Sequence, residues 1–143
     1  MADSRRDARD AHAASKSTQG RDVIGWKIDP DQRDQLLGRF PPHYADAVAD
    51  HVTLAAHVGK EAPLPCETSG EIIGISDDGN GVEAMVVRIG GTAERPDGKT
   101  YHITWSLDRS KGRKPVESND VIARLGWQDL DAPVPVRLNP ARF

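Results

Sequence analysis

The chain reads as an α+β protein made mostly of antiparallel strands, and three observations say so. Segments that alternate apolar and polar residues outnumber segments with helical spacing. The links between them are short and rich in Gly, Pro, Asp and Asn, the residues of hairpin turns. Residues 101–107, Tyr-His-Ile-Thr-Trp-Ser-Leu, alternate without a break and are aromatic or β-branched at most positions.

At 143 residues the chain has room for one domain with a real core. Its net charge of −3 excludes a global basic field, so contact with nucleic acid has to come from a local patch. Cys66 is the single cysteine, which excludes an internal disulfide and a cysteine-built zinc site. No apolar run approaches the ~20 residues needed to span a membrane. No charged leader followed by an apolar stretch opens the chain, so a cytoplasmic monomer without a membrane partner is expected.

Taken in order, residues 1–21 lack large aliphatic side chains after Met1 and predict a disordered tail, with a marginal Ala-rich helix over 7–14. Residues 22–143 form the predicted domain. Its first strand covers 23–28. Asp29-Pro30-Asp31 then opens a helix, with Asp29 as cap and Pro30 at the first helical position. Pro41-Pro42 ends that helix near Arg39. Residues 43–48 predict a turn with some helical character, and 50–57 a second strand. After a loop over 59–69, residues 71–76 and 82–89 flank Asp77-Asp78-Gly79-Asn80-Gly81 and predict a hairpin. Arg95-Pro96-Asp97-Gly98-Lys99 is a turn that feeds the 101–107 strand. Ser118 and Asn119 cap a short predicted helix over 120–125, and a final strand lies near 134–138.

The chemistry sits on two of these strands. Successive side chains on a strand point to opposite faces. Tyr101, Ile103, Trp105 and Leu107 therefore share a core face, and His102, Thr104 and Ser106 share the other. Asp50-His51-Val52-Thr53-Leu54 repeats the construction, with Val52 and Leu54 inward and His51 and Thr53 outward. Two imidazoles can divide general acid and general base roles near neutral pH. Hydroxyls two residues along can bond non-bridging phosphate oxygens. The combination suits hydrolysis of a phosphodiester, above all a strained cyclic one, without metal or other cofactor. His57 shares the His51 face if the strand stays extended that far. A metal site built on His51, His57 and His102 lacks a carboxylate at suitable spacing.

The run 108–114 carries Arg109, Lys111, Arg113 and Lys114 and is the one concentrated basic patch, a candidate RNA-backbone contact. Trp26, Tyr44 and Trp105 are candidates for base stacking, with Trp105 assigned to the core by its face. Tyr101 is assigned there too. Ser106 can add one hydrogen bond to phosphate.

Two His-x-Thr elements on strands resemble the defining motif of the two-histidine (2H) phosphoesterase superfamily. Together with Lys114-Pro115-Val116-Glu117-Ser118-Asn119, they make residues 22–143 similar to the cyclic phosphodiesterase domain of fungal and plant tRNA ligases. The resemblance implies two antiparallel lobes related by a pseudo-two-fold, few short helices, and a central groove with one His-x-Thr from each lobe. It implies a metal-independent 2′,3′-cyclic-nucleotide phosphodiesterase acting on RNA ends. By motif match His51 and His102 would be catalytic, and Thr53 and Thr104 would bind phosphate. Beside these, position and residue type alone offer Ser106 as a further phosphate ligand and Arg109, Lys111, Arg113, Lys114 and Trp26 as RNA or substrate contacts. The 51 positions between the histidines are fewer than in many members, which implies pared-down lobes. The alternatives are a hydrolase of small cyclic nucleotides, of ADP-ribose cyclic phosphate or of cyclic oligonucleotide signals, and a non-catalytic nucleotide- or RNA-binding module.

Overall fold

The computed structural model describes residues 5–143. The first four residues of the expected tail lie outside the described residues. In chain order the elements are α1 (Ala8–Ser15), β1 (Asp22–Ile28), α2 (Pro30–Arg39), β2 (Asp46–Ala47), β3 (His51–Val58), β4 (Ser69–Asp77), β5 (Val82–Arg88), β6 (His102–Leu107), α3 (Glu117–Leu125) and β7 (Gln128–Arg142). A 3₁₀ turn over Arg109–Lys111 follows β6. The seven strands form one sheet in the order β2-β6-β5-β4-β7-β1-β3, and the pairs along it are antiparallel.

Strand β7 ties the sheet together. Its first part pairs with β4, from Ile75↔Gln128 to Ser69↔Arg137, and its last part pairs with β1, from Ile28↔Leu138 to Ile24↔Arg142. Val134, Val136 and Leu138 alternate inward with exposed neighbours between them, the period-two signature of a sheet with one buried face. The prediction of a short strand near 134–138 caught only this core-facing stretch of a strand that is 15 residues long.

The two ends of the sheet order return to each other. β2 pairs with the end of β6, Asp46↔Leu107 and Ala47↔Ser106. The next two residues keep that register: Val48 N–H donates to the Trp105 carbonyl (2.9 Å) and Ala49 N–H to the Thr104 carbonyl (3.0 Å). Ala49 then takes a left-handed backbone, φ 41°, and the chain turns away to run along β1 as β3. The Ile28 N–H meets the Asp50 carbonyl at 3.1 Å, which starts that second pairing. One segment thus bonds β6 and then β1, and the sheet coils around a single core. Trp26, Val52, Leu54, Met85, Tyr101, Ile103, Trp105 and Leu138 are among its buried members.

The helices follow local rules. Asp29 caps α2 by accepting from the Asp31 N–H (3.0 Å), with Pro30 at the first helical position, as its sequence requires. From α2, Arg33 donates to the Val48 carbonyl (3.0 Å) and the Ala49 carbonyl (2.8 Å), so this helix clamps the kink. α3 covers β5 on the side away from the main core, with Ile122 against Ala84 and Val86. It starts at Glu117 rather than 120, and no side chain caps its first turn.

Within the expected tail, the marginal Ala-rich helix over 7–14 is present as α1, Ala8–Ser15, and is packed rather than disordered. Asp7 caps it, and Ala8 and Ala11 are buried in the main core. Small side chains let a helix without large apolar residues lie close against β3, a gain that composition averaged over 20 residues does not register. Residues 43–48, expected to have helical character, supply β2 instead.

Two substitutions test this frame. A Cβ on Gly25 would stand 2.2 Å from the Val52 carbonyl oxygen, so Gly25→Ala forces β1 and β3 apart and should cost roughly 1–3 kcal/mol in urea unfolding. Arg33→Ala leaves two carbonyls at the kink without their charged donor. It should lower stability by about 1.5–3 kcal/mol in the same measurement.

A candidate acid–base site where two strands part

The split at Ala49 sets the geometry of the predicted residues. The β2–β6 ladder ends at the Ala49–Thr104 hydrogen bond; His51 lies two residues past it on β3, paired with Lys27 of β1, and His102 lies two residues before Thr104 on β6, paired with Val86 of β5. Both project from the sheet face away from the core, as strand alternation predicts, since Val52, Leu54, Ile103 and Trp105 between them are buried inward. His51 is near enough for its charge to bear on His102.

Each imidazole is held by the same nitrogen. His51 Nδ1 donates to Asp50 Oδ2 at 3.0 Å, and that oxygen also accepts from Lys27 Nζ at 2.6 Å. The His51 ring packs on Phe143, centroids 4.6 Å apart. His102 Nδ1 donates to the Thr100 carbonyl at 2.9 Å. Both acceptors lack a proton to give, so each ring has its hydrogen on Nδ1 whenever it carries only one. Among the described residues neither Nε2 is given a hydrogen-bond partner.

The electrostatics of the two differ. Burial holds the His102 pKa below its ordinary 6.5, and the charges of Arg95, His51 and Lys99 push the same way against the Thr100 carbonyl bond. His102 is therefore neutral at pH 7. Burial alone would raise the Asp50 pKa, but hydrogen bonds from Lys27 and His51 outweigh it and hold the carboxyl below its usual value. Asp50 remains an anion beside His51.

The other predicted residues divide sharply. Thr53 is half-buried beside His51. Thr104 is buried, and its hydroxyl lies 2.8 Å from Ser118 Oγ and 3.2 Å from the Pro115 carbonyl. It anchors the start of α3 to β6 and has no open path to a ligand. Ser118, read from the sequence as a helix cap, is its partner instead. Ser106 is fully buried; it donates to Glu83 Oε1 at 2.7 Å and accepts from the Tyr44 N–H at 3.2 Å, so a phosphate role for it is corrected to a structural one. Trp26 is also fully buried, donates from Nε1 to the Glu67 carbonyl at 2.9 Å and meets Tyr101 edge-on, so it cannot stack a base. Trp105 is core, as expected.

The basic run is displaced from the histidines. β6 carries the chain away from His102 over six residues, roughly 20 Å, before Arg109 and Lys111 begin. Arg113 is committed to Asp78 (2.8 Å) and Glu117 (3.2 Å), and Lys111 Nζ to Asn80 Oδ1 (3.2 Å). Lys114 is exposed, with its backbone N–H given to Glu117 at 2.7 Å. Adjacency in sequence to the second His-x-Thr was the wrong guide, because a strand exports its C-terminal neighbours. The cations near His102 are Arg95 and Lys99, which precede β6 and read in sequence only as turn residues.

A second polar cluster went unread in the sequence. At the far end of β6, His43 Nδ1 lies 2.6 Å from Asp77 and 3.1 Å from the fully buried Glu83, and the Tyr44 hydroxyl donates to Asp77 at 2.6 Å. The Asp77 hydrogen bond raises the His43 pKa, and burial pushes the Tyr44 hydroxyl up to about 12. These contacts pin residues 43–44 over the sheet end and lead into β2. Among the described residues, no group of three or more His, Cys, Asp or Glu side chains could hold a metal ion, and no helix is long and apolar enough to cross a membrane.

The Thr104–Ser118 contact is testable by a double-mutant cycle. Ser118→Ala and Thr104→Val should each cost about 1–3 kcal/mol, because each leaves a buried hydroxyl or carbonyl short of a partner. The double variant should cost at least ~0.5 kcal/mol less than the two together, read by urea unfolding. Set against family models, curated proteins and solved structures, the chain matches none of them.

Proposed function

We propose that this chain is a metal-independent phosphodiesterase that opens 2′,3′-cyclic phosphates at RNA ends. What supports the reading is a pair of imidazoles on β3 and β6, near enough for the His51 charge to bear on His102, each tethered through Nδ1 with no Nε2 partner among the described residues. In this reading one lobe is β1, β3 and the 138–142 end of β7, and the other is β4, β5, β6 and the 128–137 part of β7. The groove is the gap between β3 and β6.

The roles follow from the surroundings. Neutral His102 takes a proton through Nε2 from a water whose oxygen attacks phosphorus. For this step His51 must enter as the imidazolium, with hydrogen on both nitrogens; it gives the Nε2 proton to the ribose oxygen as that oxygen's bond to phosphorus breaks and is left with hydrogen on Nδ1, bonded to anionic Asp50. The Thr53 hydroxyl donates to a non-bridging oxygen while charge builds there. Thr104 acts through the backbone it anchors.

Nucleoside 2′,3′-cyclic monophosphates with excess chelator provide the assay. Turnover should survive chelation, and His51→Ala and His102→Ala should each lose at least ~10²-fold in kcat/KM. The rate should rise with pH as His102 loses its proton. That limb should have its midpoint below 6.5, because burial and nearby cations depress the His102 pKa. Full activity in either histidine variant, or loss of turnover on chelation, would refute the mechanism.

A further inference from the structure

The gap between β3 and β6 does not end at the histidines. At its wide end α1 lies over the second half of β3, and together with residues 95–99 they enclose a cavity of about 340 Å³. Its lining includes His12 of α1 and Lys16 just past its end, His57 of β3, and Arg95, Asp97 and Lys99 from the turn before β6. Asp97 is already paired with Arg95, at 2.7 Å. Lys16 and Lys99 are exposed, and no carboxylate lies in ion-pair range of either among the described residues. Arg95 is 6 % exposed, and its Nε is buried without a hydrogen-bond partner. A buried guanidinium donor with nothing to bind is costly, and in a polar cavity it marks a place for an acceptor.

The backbone turns a further group toward the cavity. The β1–β3 pairing slips between Ile24↔Ala55 and Asp22↔Val58, and within that bulge His57 adopts φ 56°. Bulges re-aim side chains, and left-handed backbone at a residue other than glycine is retained where the surroundings enforce it. Here the bulge takes His57 off the alternation that would have put it beside His51 and lines the cavity with it. Arg95 also bears on both His12 and His102 and lowers the pKa of each, so the positive field of the cavity reaches the acid–base site.

We propose that this cavity is a phosphate site that holds the RNA phosphodiester one nucleotide upstream of the cyclic end. The identity of the ligand rests on the function proposed above. A 2′,3′-cyclic phosphate terminates a strand, so the remaining chain can leave the histidines only in the 5′ direction. The open end of the gap, with its unpaired cations, lies on that path. Phosphate contacts of this kind position a substrate without reading its sequence.

The test uses the full chain and a fluorescently labelled hexaribonucleotide ending in a plain 3′-hydroxyl, which binds without reacting. Anisotropy should show binding that weakens with salt, by about 0.7 in log–log slope for each phosphate neutralised on a single strand. Lys16→Ala/Lys99→Ala should weaken binding at least tenfold and flatten the slope by about 0.7, and, at a pH near 8 where His102 is neutral with or without Lys99, leave turnover of a mononucleotide 2′,3′-cyclic phosphate unchanged. Arg109→Ala/Lys111→Ala should alter neither. Unchanged oligonucleotide affinity and slope in the Lys16/Lys99 variant would overturn the site. So would inorganic phosphate competing as tightly as the hexanucleotide binds, since the cavity would then serve a free anion. Lysine-dependent binding in a protein that turns over no cyclic phosphate would uphold the site and refute the enzyme. Turnover with lysine-independent binding would do the reverse.

Discussion

The structure depends on the change of partner at Ala49. Up to that residue the segment bonds β6, and from Asp50 onward it bonds β1. A straight strand could pair with only one of them on that side. The left-handed turn lets one chain end a ladder and begin another, which coils the sheet around its core and opens the gap beside β6. Alanine pays a steric penalty in that conformation, so the surroundings must hold it there. Arg33 does so from α2, with two charged hydrogen bonds on consecutive carbonyls. The helix exists because Asp29 and Pro30 start it, so a local capping signal leads to the geometry of the histidine pair.

The two ends of β6 are electrostatically distinct. At Ser106 the strand meets Glu83, Asp77 and His43, a cluster joined by its own hydrogen bonds, with Glu83 buried and His43 at the surface. At His102 it meets Arg95 and Lys99, and across the gap Lys16 and His57. Thr104 and Ser118 divide them, bonded to each other under α3. One end has its polar groups satisfied within the protein, and the other keeps donors and cations unmatched. The unmatched cations thus lie at the start of β6, although the densest basic run in the chain follows its end.

Much of the frame was legible in the residues. Alternation placed β1, β3, β5 and β6 and put Val52, Leu54, Ile103 and Trp105 inward, where they are buried. Asp29-Pro30 marked the start of α2, and the Asp77–Gly81 run marked the β4–β5 hairpin, since caps and tight turns are decided by neighbours in the chain. The same alternation set His51, His102 and Thr53 on the opposite side of their strands from the core. What local pattern could not supply was the destination of each hydroxyl or ring. Ser106 and Trp26 are candidates by residue type, and burial removes them; Thr104 faces outward as predicted, and α3 then covers it.

Sequence alone therefore determined most of the strands, the start of α2 and the inward faces of β3 and β6, because those follow from interactions between residues close along the chain. Tertiary structure decided that β3 leaves β6 at Ala49, that a helix of small residues packs over the gap, and that Arg95, Lys99, Lys16 and His57 surround one cavity. These residues come from three separate stretches, and no periodicity connects them. Only closure of the sheet, which satisfies backbone hydrogen bonds between segments more than 50 residues apart in the chain, brings them together.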